Sequence, residues 1–207
     1  MGSKDRKPIV GVTGGVGAGK SLVADMMREL GAVVIDSDRL AHEELSDPQV
    51  VAALRQWWGE GIVTSGGKID RHAVAGIVFS DRDELKRLEN LLYPRIDRRR
   101  QLLVDGWVKK SDIRAIVYDA PKLYEAGLDR KCDCVVFVDA PRSVRVQRIA
   151  RTRGWGEAEL QKREKMQDPL KPKMAKADYV VTNQFDIETL RSAVEQVFRA
   201  VLASFPD

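Results

Sequence analysis

The hydrophobic and polar positions of the first 38 residues follow a strand pattern, then a helix pattern, then a second strand pattern. An apolar, partly β-branched run over residues 9–13 predicts a buried strand. Apolar residues then recur at helical spacing, at Val23, Met26, Met27 and Leu30. Gly31 is placed to end that helix, and residues 32–35 form a second apolar run. This strand–helix–strand unit predicts two parallel strands.

The middle of the chain, about residues 39–110, is dominated by helical patterns. A block of this length is too long for an ordinary crossover between two strands, so it predicts a helical insertion that covers or binds a substrate. Pro94 is expected to kink or break its longest helix near Tyr93. Three consecutive arginines, Arg98–Arg100, lie on the last helix of this block and are expected to be solvated.

Regular alternation of strands and helices resumes after the helical block. Three more apolar runs predict strands, at residues 113–118, 134–138 and 179–181. Asp186 is a good N-cap for a last amphipathic helix. The predicted fold class is therefore α/β, with a five-stranded parallel sheet and helices on both faces.

A glycine-rich segment joins the first strand to the first helix. Residues 14–21 read Gly-Gly-Val-Gly-Ala-Gly-Lys-Ser and match the phosphate-loop pattern in its proper context. Glycines let the backbone N–H groups point at phosphate oxygens, Lys20 reaches the β- and γ-phosphates, and the Ser21 hydroxyl binds Mg²⁺. ATP and Mg²⁺ are the predicted cofactors. The predicted nucleotide-binding residues here are Gly14, Gly15, Val16, Gly17, Ala18, Gly19, Lys20, Ser21 and Leu22.

The phosphate loop alone does not identify the reaction, but other features narrow it. Residues 183–186 lack the lysine of a guanine-reading Asn-Lys-x-Asp, and no large second domain is available for mechanical work. A small-molecule kinase remains. Asp38 follows the second predicted strand and could act as general base for an acceptor hydroxyl. Alternatively, Asp38 could cap a helix starting near Arg39, or Asp36 could contribute instead. Asp119 could hold a magnesium-bound water or serve as a strand-end turn residue.

Positive charge is concentrated in one segment rather than spread along the chain. Residues 142–176 carry eleven Lys or Arg against four acidic residues, a local excess of +7, whereas the whole chain is +4. This segment suits an anionic partner, and arginines of a lid can neutralise charge on a transferred phosphoryl group. A nucleic-acid partner is the alternative. It is disfavoured because Trp155 is the one aromatic residue among these basic positions.

The composition of the chain limits the class of protein to which it can belong. The chain has 207 residues, 43% of them hydrophobic, which fits one α/β domain with an insertion. No apolar run approaches the length of a membrane helix, and the polar N-terminus does not resemble a signal peptide. Cys132 and Cys134 lack further ligands for a metal site. We therefore expect a cytoplasmic protein with no membrane partner; the sequence leaves its oligomeric state open.

Seven short segments occur in one order along the chain. They are residues 9–21, 34–38 (Val-Ile-Asp-Ser-Asp), 77–79, 91–94, 121–125 (Pro-Lys-Leu-Tyr-Glu), 138–139 and 177–183 (Ala-Asp-Tyr-Val-Val-Thr-Asn). Together with Arg148, and in this order, they resemble the dephospho-coenzyme A kinase family over nearly the whole chain. Two departures stand out: Leu22 replaces a usual Thr, and Lys122 replaces an apolar residue.

The resemblance implies a fold and a domain organisation. It implies a kinase of the nucleoside-monophosphate-kinase type, with a single kinase domain over residues 8–207. Within it, the resemblance implies a core, a helical insertion and a lid, at residues 8–38 with 112–207, about 39–110 and about 148–176.

The resemblance also implies a reaction and residue roles. The γ-phosphate of ATP would pass to the ribose 3′-hydroxyl of dephospho-coenzyme A, so ATP and dephospho-coenzyme A are the expected small-molecule substrates. Asp38 becomes the favoured general base, Lys20 binds the phosphates, and Arg148 becomes the favoured charge stabiliser. Asn183 is expected to lie near the adenine. A kinase for a different small acceptor and a nucleic-acid-dependent ATPase are the remaining alternatives.

Overall fold

The fold is built on a five-stranded sheet, seen in a computed structural model that describes residues 6–205. The strands are β1 (Ile9–Gly14), β2 (Ala32–Asp36), β3 (Ala115–Asp119), β4 (Cys134–Asp139) and β5 (Tyr179–Thr182). Their spatial order is β2-β3-β1-β4-β5, and every neighbouring pair is parallel. The predicted five-stranded parallel sheet is confirmed, with β1 at its centre.

Nine α-helices connect and flank these strands within the described residues. They are α1 (Lys20–Glu29), α2 (Ser37–Glu44), α3 (Pro48–Trp58), α4 (Arg71–Ser80), α5 (Arg82–Trp107), α6 (Arg142–Arg153), α7 (Glu157–Glu164), α8 (Leu170–Lys176) and α9 (Ile187–Ala203). Short 3₁₀ helices cover Glu60–Ile62 and Leu128–Lys131. Residues 206 and 207, at the end of the expected domain, and the polar segment 1–5 lie outside the described residues.

The chain forms two compact units. One comprises the chain up to Asp36 together with the chain from Val104 onwards, and the other is Ser37–Leu103. The first unit contains the whole sheet, α1 and α6 to α9, whereas the second contains α2, α3, α4 and most of α5. The phosphate loop and all five strands thus belong to one compact unit, and most of the helical block forms the other.

The core of the first unit lies on one face of the sheet, under α1 and α9. Alternate strand residues such as Val10, Val12 and Val136 are fully buried there against Met27 and Phe198. Residues of the central strands that point to the opposite face, including Ile116 and Phe137, are also buried, so both faces of β3 and β4 exclude water. Strands buried on both faces need continuous apolar runs, which is why their positions are visible in the sequence.

The second unit is held together by capped helices and by charged pairs. Asp47 accepts hydrogen bonds from the first N–H groups of α3, and Asp70 does the same for α4. The buried Glu44 carboxylate binds Arg95 at 2.8 Å and Arg99 at 3.3 Å. A buried carboxylate is stable only with such partners, so these pairs fix α2 against α5.

Three expectations from the sequence are wrong in detail. β3 begins at Ala115, because Ile113 N–H bonds to Lys110 O in a turn rather than to a neighbouring strand. α5 runs through Pro94 as one continuous helix, so the break, one of the two outcomes expected at Pro94, does not occur. The arginine triplet is not uniformly solvated: Arg98 is exposed, but Arg100 is buried and pairs with Asp97 at 3.2 Å.

Candidate active site

The phosphate loop occupies the turn between the central strand and the first helix. Gly14 ends β1 and Lys20 begins α1, so residues 15–19 form the loop between them. A Cβ at Gly14 would overlap the Val138 carbonyl oxygen. Gly19 has a φ of 93° and would place a Cβ on the Asn183 amide nitrogen. These two positions therefore require glycine, both for backbone conformation and for space.

The N-terminus of α1 is arranged to receive an anion. Among the described residues it has no side-chain N-cap hydrogen bond, and no acidic residue lies in its first turn. The loop is closed by a hydrogen bond from Ala18 N–H to Gly15 O at 3.1 Å. The Lys20 ammonium lies 3.4 Å from the same Gly15 carbonyl, folded over the loop. Helix N–H groups and a lysine here supply the positive potential that binds phosphate oxygens.

Ser21 and Asp119 form the candidate magnesium site. The Ser21 hydroxyl donates a hydrogen bond of 2.8 Å to Asp119 Oδ2, and Asp119 is buried at the carboxyl end of β3. Over residues 6–205, no cluster of three or more His, Cys, Asp or Glu side chains could hold a metal alone. A hydroxyl and one carboxylate fit Mg²⁺, which favours oxygen ligands and takes its remaining ligands from water and substrate phosphates. The turn-only alternative for Asp119 does not account for its bond to Ser21.

Arg148 and Asn183 meet at the far end of the phosphate loop. Arg148, on α6, donates a hydrogen bond of 2.9 Å from Nη2 to Asn183 Oδ1. Asn183 follows β5, is buried, and donates from Nδ2 to the Ala18 carbonyl at 2.8 Å. The structure thus brings together two residues that lie 35 positions apart in sequence and places both against the loop.

The remaining candidate residues are Asp38, Leu22 and Val16. Asp38 is the second residue of α2, in the second unit, and follows the end of β2 by two positions. Asp38 therefore lies inside the first turn of this helix. Leu22 lies on α1 with 40% of its surface exposed, and Val16 lies in the middle of the loop.

Comparison with known proteins decides the family. Residues 8–189 match the family model described as dephospho-CoA kinase, which is most of the chain and includes the phosphate loop. The chain belongs to the dephospho-CoA kinase family. A curated dephospho-CoA kinase of Chlorobaculum tepidum is 36% identical over 207 aligned residues, covering 96% of this chain and 98% of that protein.

Comparison with solved structures supports the same fold. The crystal structure of TT1252 from Thermus thermophilus has a TM-score of 0.80 and 32% identity, covering 98% of this chain and 100% of that one. A dephospho-CoA kinase from Campylobacter jejuni has a TM-score of 0.69 and 23% identity, covering 96% and 98%. At that identity the second likeness supports the fold alone.

Membership of the dephospho-CoA kinase family makes this chain an ATP-dependent kinase that works with Mg²⁺, as predicted. The family assignment itself is likewise confirmed. No helix within residues 6–205 is long and apolar enough to cross a membrane.

Sequence reasoning did not single out two buried cations of the first unit. Arg145 is one of the eleven basic residues of segment 142–176, yet its side chain is buried against the phosphate loop. Lys173 is 2% exposed, and its ammonium lies 3.0 Å from Glu125 Oε1 and 3.0 Å from the Pro121 carbonyl. Lysine and arginine are mostly exposed in proteins, so the pattern of hydrophobic and polar positions does not indicate that either residue is buried.

Proposed function

We propose that this protein transfers the γ-phosphate of ATP to the ribose 3′-hydroxyl of dephospho-coenzyme A. The products are coenzyme A and ADP, and the reaction is the last step of coenzyme A biosynthesis. The observation that supports it most is the family match over residues 8–189, which spans a phosphate loop with the geometry described above. The acceptor's 3′-oxygen forms a bond to the γ-phosphorus while the bond from that phosphorus to the β,γ-bridging oxygen breaks.

The phosphate loop and its neighbours bind and orient the triphosphate. The loop N–H groups and the Lys20 ammonium bind the β- and γ-phosphates. Ser21 would hold Mg²⁺ directly and Asp119 through a water, and the ion supplies positive charge against the transferred phosphoryl group. Lys20 must leave the Gly15 carbonyl, 3.4 Å away, to reach the phosphates. In phosphoryl transfer most of the rate comes from such positioning and charge stabilisation.

Asp38 is the proposed general base that takes the 3′-hydroxyl proton. Its support is its place in the chain, because β2 ends at Asp36 and ligands of such sheets lie outside the carboxyl ends of the strands. Asp36, the last residue of β2, is the competing carboxylate.

Arg148 is proposed to stabilise negative charge that develops during transfer, and Asn183 to border the adenine. Support comes from their position against residue 18 of the phosphate loop. The bond from Arg148 to Asn183 would hold the guanidinium ready beside the loop, and a guanidinium always carries its charge.

The wider organisation of the protein is proposed on the same basis. A core at residues 8–38 and 112–207, a substrate-binding insertion at about 39–110 and a lid at about 148–176 would make one kinase domain. We also propose that the protein acts in the cytoplasm on small molecules and not on nucleic acid. Its two cysteines are free thiols, which agrees with a reducing compartment.

The test is ADP release from Mg-ATP by purified protein, with dephospho-coenzyme A, AMP, adenosine or RNA as the added partner. We expect strong release with dephospho-coenzyme A alone, and loss of that release in Lys20→Met. Stimulation by AMP or adenosine would instead favour a different acceptor. Stimulation by RNA that weakens steeply with salt would favour a nucleic-acid-dependent ATPase.

A further inference from the structure

Arg145 lies behind the phosphate loop and is one of the few buried charged residues of the first unit. Arg145 is 6% exposed to solvent. From α6, its Nη1 donates to the Val16 carbonyl at 3.2 Å, and its Nε donates to the Ala140 carbonyl at 3.2 Å. The guanidinium is therefore fixed at two points, one of them the middle of the loop.

The backbone of the loop packs against the same residue. A Cβ on Gly17 would lie 2.9 Å from the Arg145 carbonyl oxygen, and one on Gly15 would lie 3.2 Å from Arg145 Nη1. A side chain at Gly17 would have to push the α6 backbone away, whereas one at Gly15 would have to displace the side chains of Arg145 and Leu170. Arg145 thus supports the loop through both its main chain and its side chain.

The Val16 carbonyl belongs to the same peptide group as the Gly17 N–H. In a phosphate loop the N–H groups turn toward the phosphates, so the carbonyl at the other end of that peptide points to the outer side. A cationic donor on the carbonyl polarises the peptide and makes its N–H a stronger hydrogen-bond donor. It also fixes the orientation of the peptide before ATP arrives.

Glu164 of α7 holds the Arg145 guanidinium in this position. Its Oε1 lies 2.5 Å from Arg145 Nη1, and its Oε2 lies 2.6 Å from Arg142 Nη1. Burial opposes ionisation of Glu164, but hydrogen bonds from the two arginines outweigh it and lower the pKa of this carboxyl. Glu164 is therefore ionised at neutral pH and compensates the charge buried at Arg145.

We propose that Arg145 is a positioning residue for the ATP phosphates, which orients the Val16–Gly17 peptide from the outer side of the loop and is itself held by Glu164. The inference rests on the proposed function only in so far as the loop binds ATP, and it does not depend on the identity of the acceptor.

The test compares two arginines that share Glu164. Arg145→Met removes the donor to the Val16 carbonyl, whereas Arg142→Met removes an ion pair to the same carboxylate from a residue that is 44% exposed at its side chain. Calorimetry measures the affinity of each variant for Mg-ATP and for dephospho-coenzyme A. We expect Arg145→Met to weaken Mg-ATP binding about tenfold, with dephospho-coenzyme A binding unchanged, and Arg142→Met to stay within about twofold of wild type.

Further variants keep the proposal open to refutation. Arg145→Lys retains a cationic donor and should recover part of the affinity for Mg-ATP. If Arg145→Met does not fold, Arg145→Gln replaces it, and a smaller loss of Mg-ATP affinity is expected because the amide is an uncharged donor. A folded variant with wild-type Mg-ATP affinity would overturn the proposal, and so would an equal loss for both substrates or an equal loss in Arg142→Met.

Failure of the proposed function would be recognised separately. A wild-type protein that binds Mg-ATP but does not phosphorylate dephospho-coenzyme A would remove the acceptor assignment. The proposed role of Arg145 would then still be tested by the Mg-ATP affinity of its variants. The thermal unfolding midpoint of each variant without ligand would show whether its fold is intact.

Discussion

Asp36 and Asp38 are two carboxylates that lie two positions apart, and they differ in what surrounds them in the chain. Asp36 is the last residue of β2 and pairs in register with Asp119, whereas Asp38 lies in the first turn of α2. The two residues therefore offer a matched comparison.

We expect Asp38→Asn to lower kcat by about 10²- to 10⁴-fold, because an amide cannot accept the proton of the acceptor hydroxyl. Mg-ATP affinity should stay unchanged, since the phosphates bind at the loop. Asp36→Asn is the control and should keep kcat within about threefold of wild type. Steady-state kinetics with dephospho-coenzyme A gives both values, and the reverse ranking would make Asp36 the base.

At the level of elements, α8 is attached to the loop after β3 through one buried ion pair. The Lys173 ammonium contacts both Glu125 oxygens, at 3.0 and 3.2 Å, and Glu125 Oε1 also accepts from Asp168 N–H at 2.8 Å. The Pro121 carbonyl receives both the Lys173 ammonium and the Thr13 hydroxyl, the latter at 3.4 Å. This network connects three parts of the first unit that are distant in sequence.

Removing one member of this pair should be costly. Lys173→Met leaves Glu125 largely buried without its cation, and we expect a loss of about 3 kcal/mol in the free energy of unfolding. Lys173→Met combined with Glu125→Leu should recover part of that loss, because neither charge is then left uncompensated. Urea denaturation measures both.

The control for this pair is an exposed one in the same unit. Arg199 and Glu195, on α9, lie 3.4 Å apart with side chains 78% and 36% exposed. Arg199→Met should change the free energy of unfolding by under about 0.5 kcal/mol, as is usual for exposed pairs. A similar cost for the two pairs would show that burial of Lys173 does not contribute to stability.

The elements that could be predicted from the sequence are those that only a few residue types can form. Strands buried on both faces require apolar runs, and the loop from Gly14 to Ser21 requires its glycines, so both were visible without coordinates. Lys173 and Arg145 could not be assigned in this way, because their roles depend on partners at Glu125 and at Val16 and Glu164. Helix α5 passes Pro94 because a proline removes one hydrogen bond, which the rest of a 26-residue helix can outweigh.

At the scale of the whole molecule, ATP binding and unfolding are linked. The loop contacts described here lie within the first unit, while α5 continues from the second unit into the first at Val104 without a break. A continuous helix resists separate melting of its two ends, because each added turn depends on the one before it. We therefore expect the two units to unfold in a single transition, and Mg-ATP to raise the midpoint of that transition as a whole.

The size of the shift follows from mass action. At a concentration of Mg-ATP about 100 times its Kd, binding to the folded state adds about 2.7 kcal/mol. For a chain of this length each kcal/mol raises the midpoint by about 2–4 °C, so calorimetry should record a shift of about 5–11 °C. Lys20→Met should shift by less than about 2 °C under the same conditions, because it has lost the cation that binds the β- and γ-phosphates. Two transitions, of which Mg-ATP moves one, would mean that the helical unit melts independently of the site, since the ligand then stabilises the first unit alone.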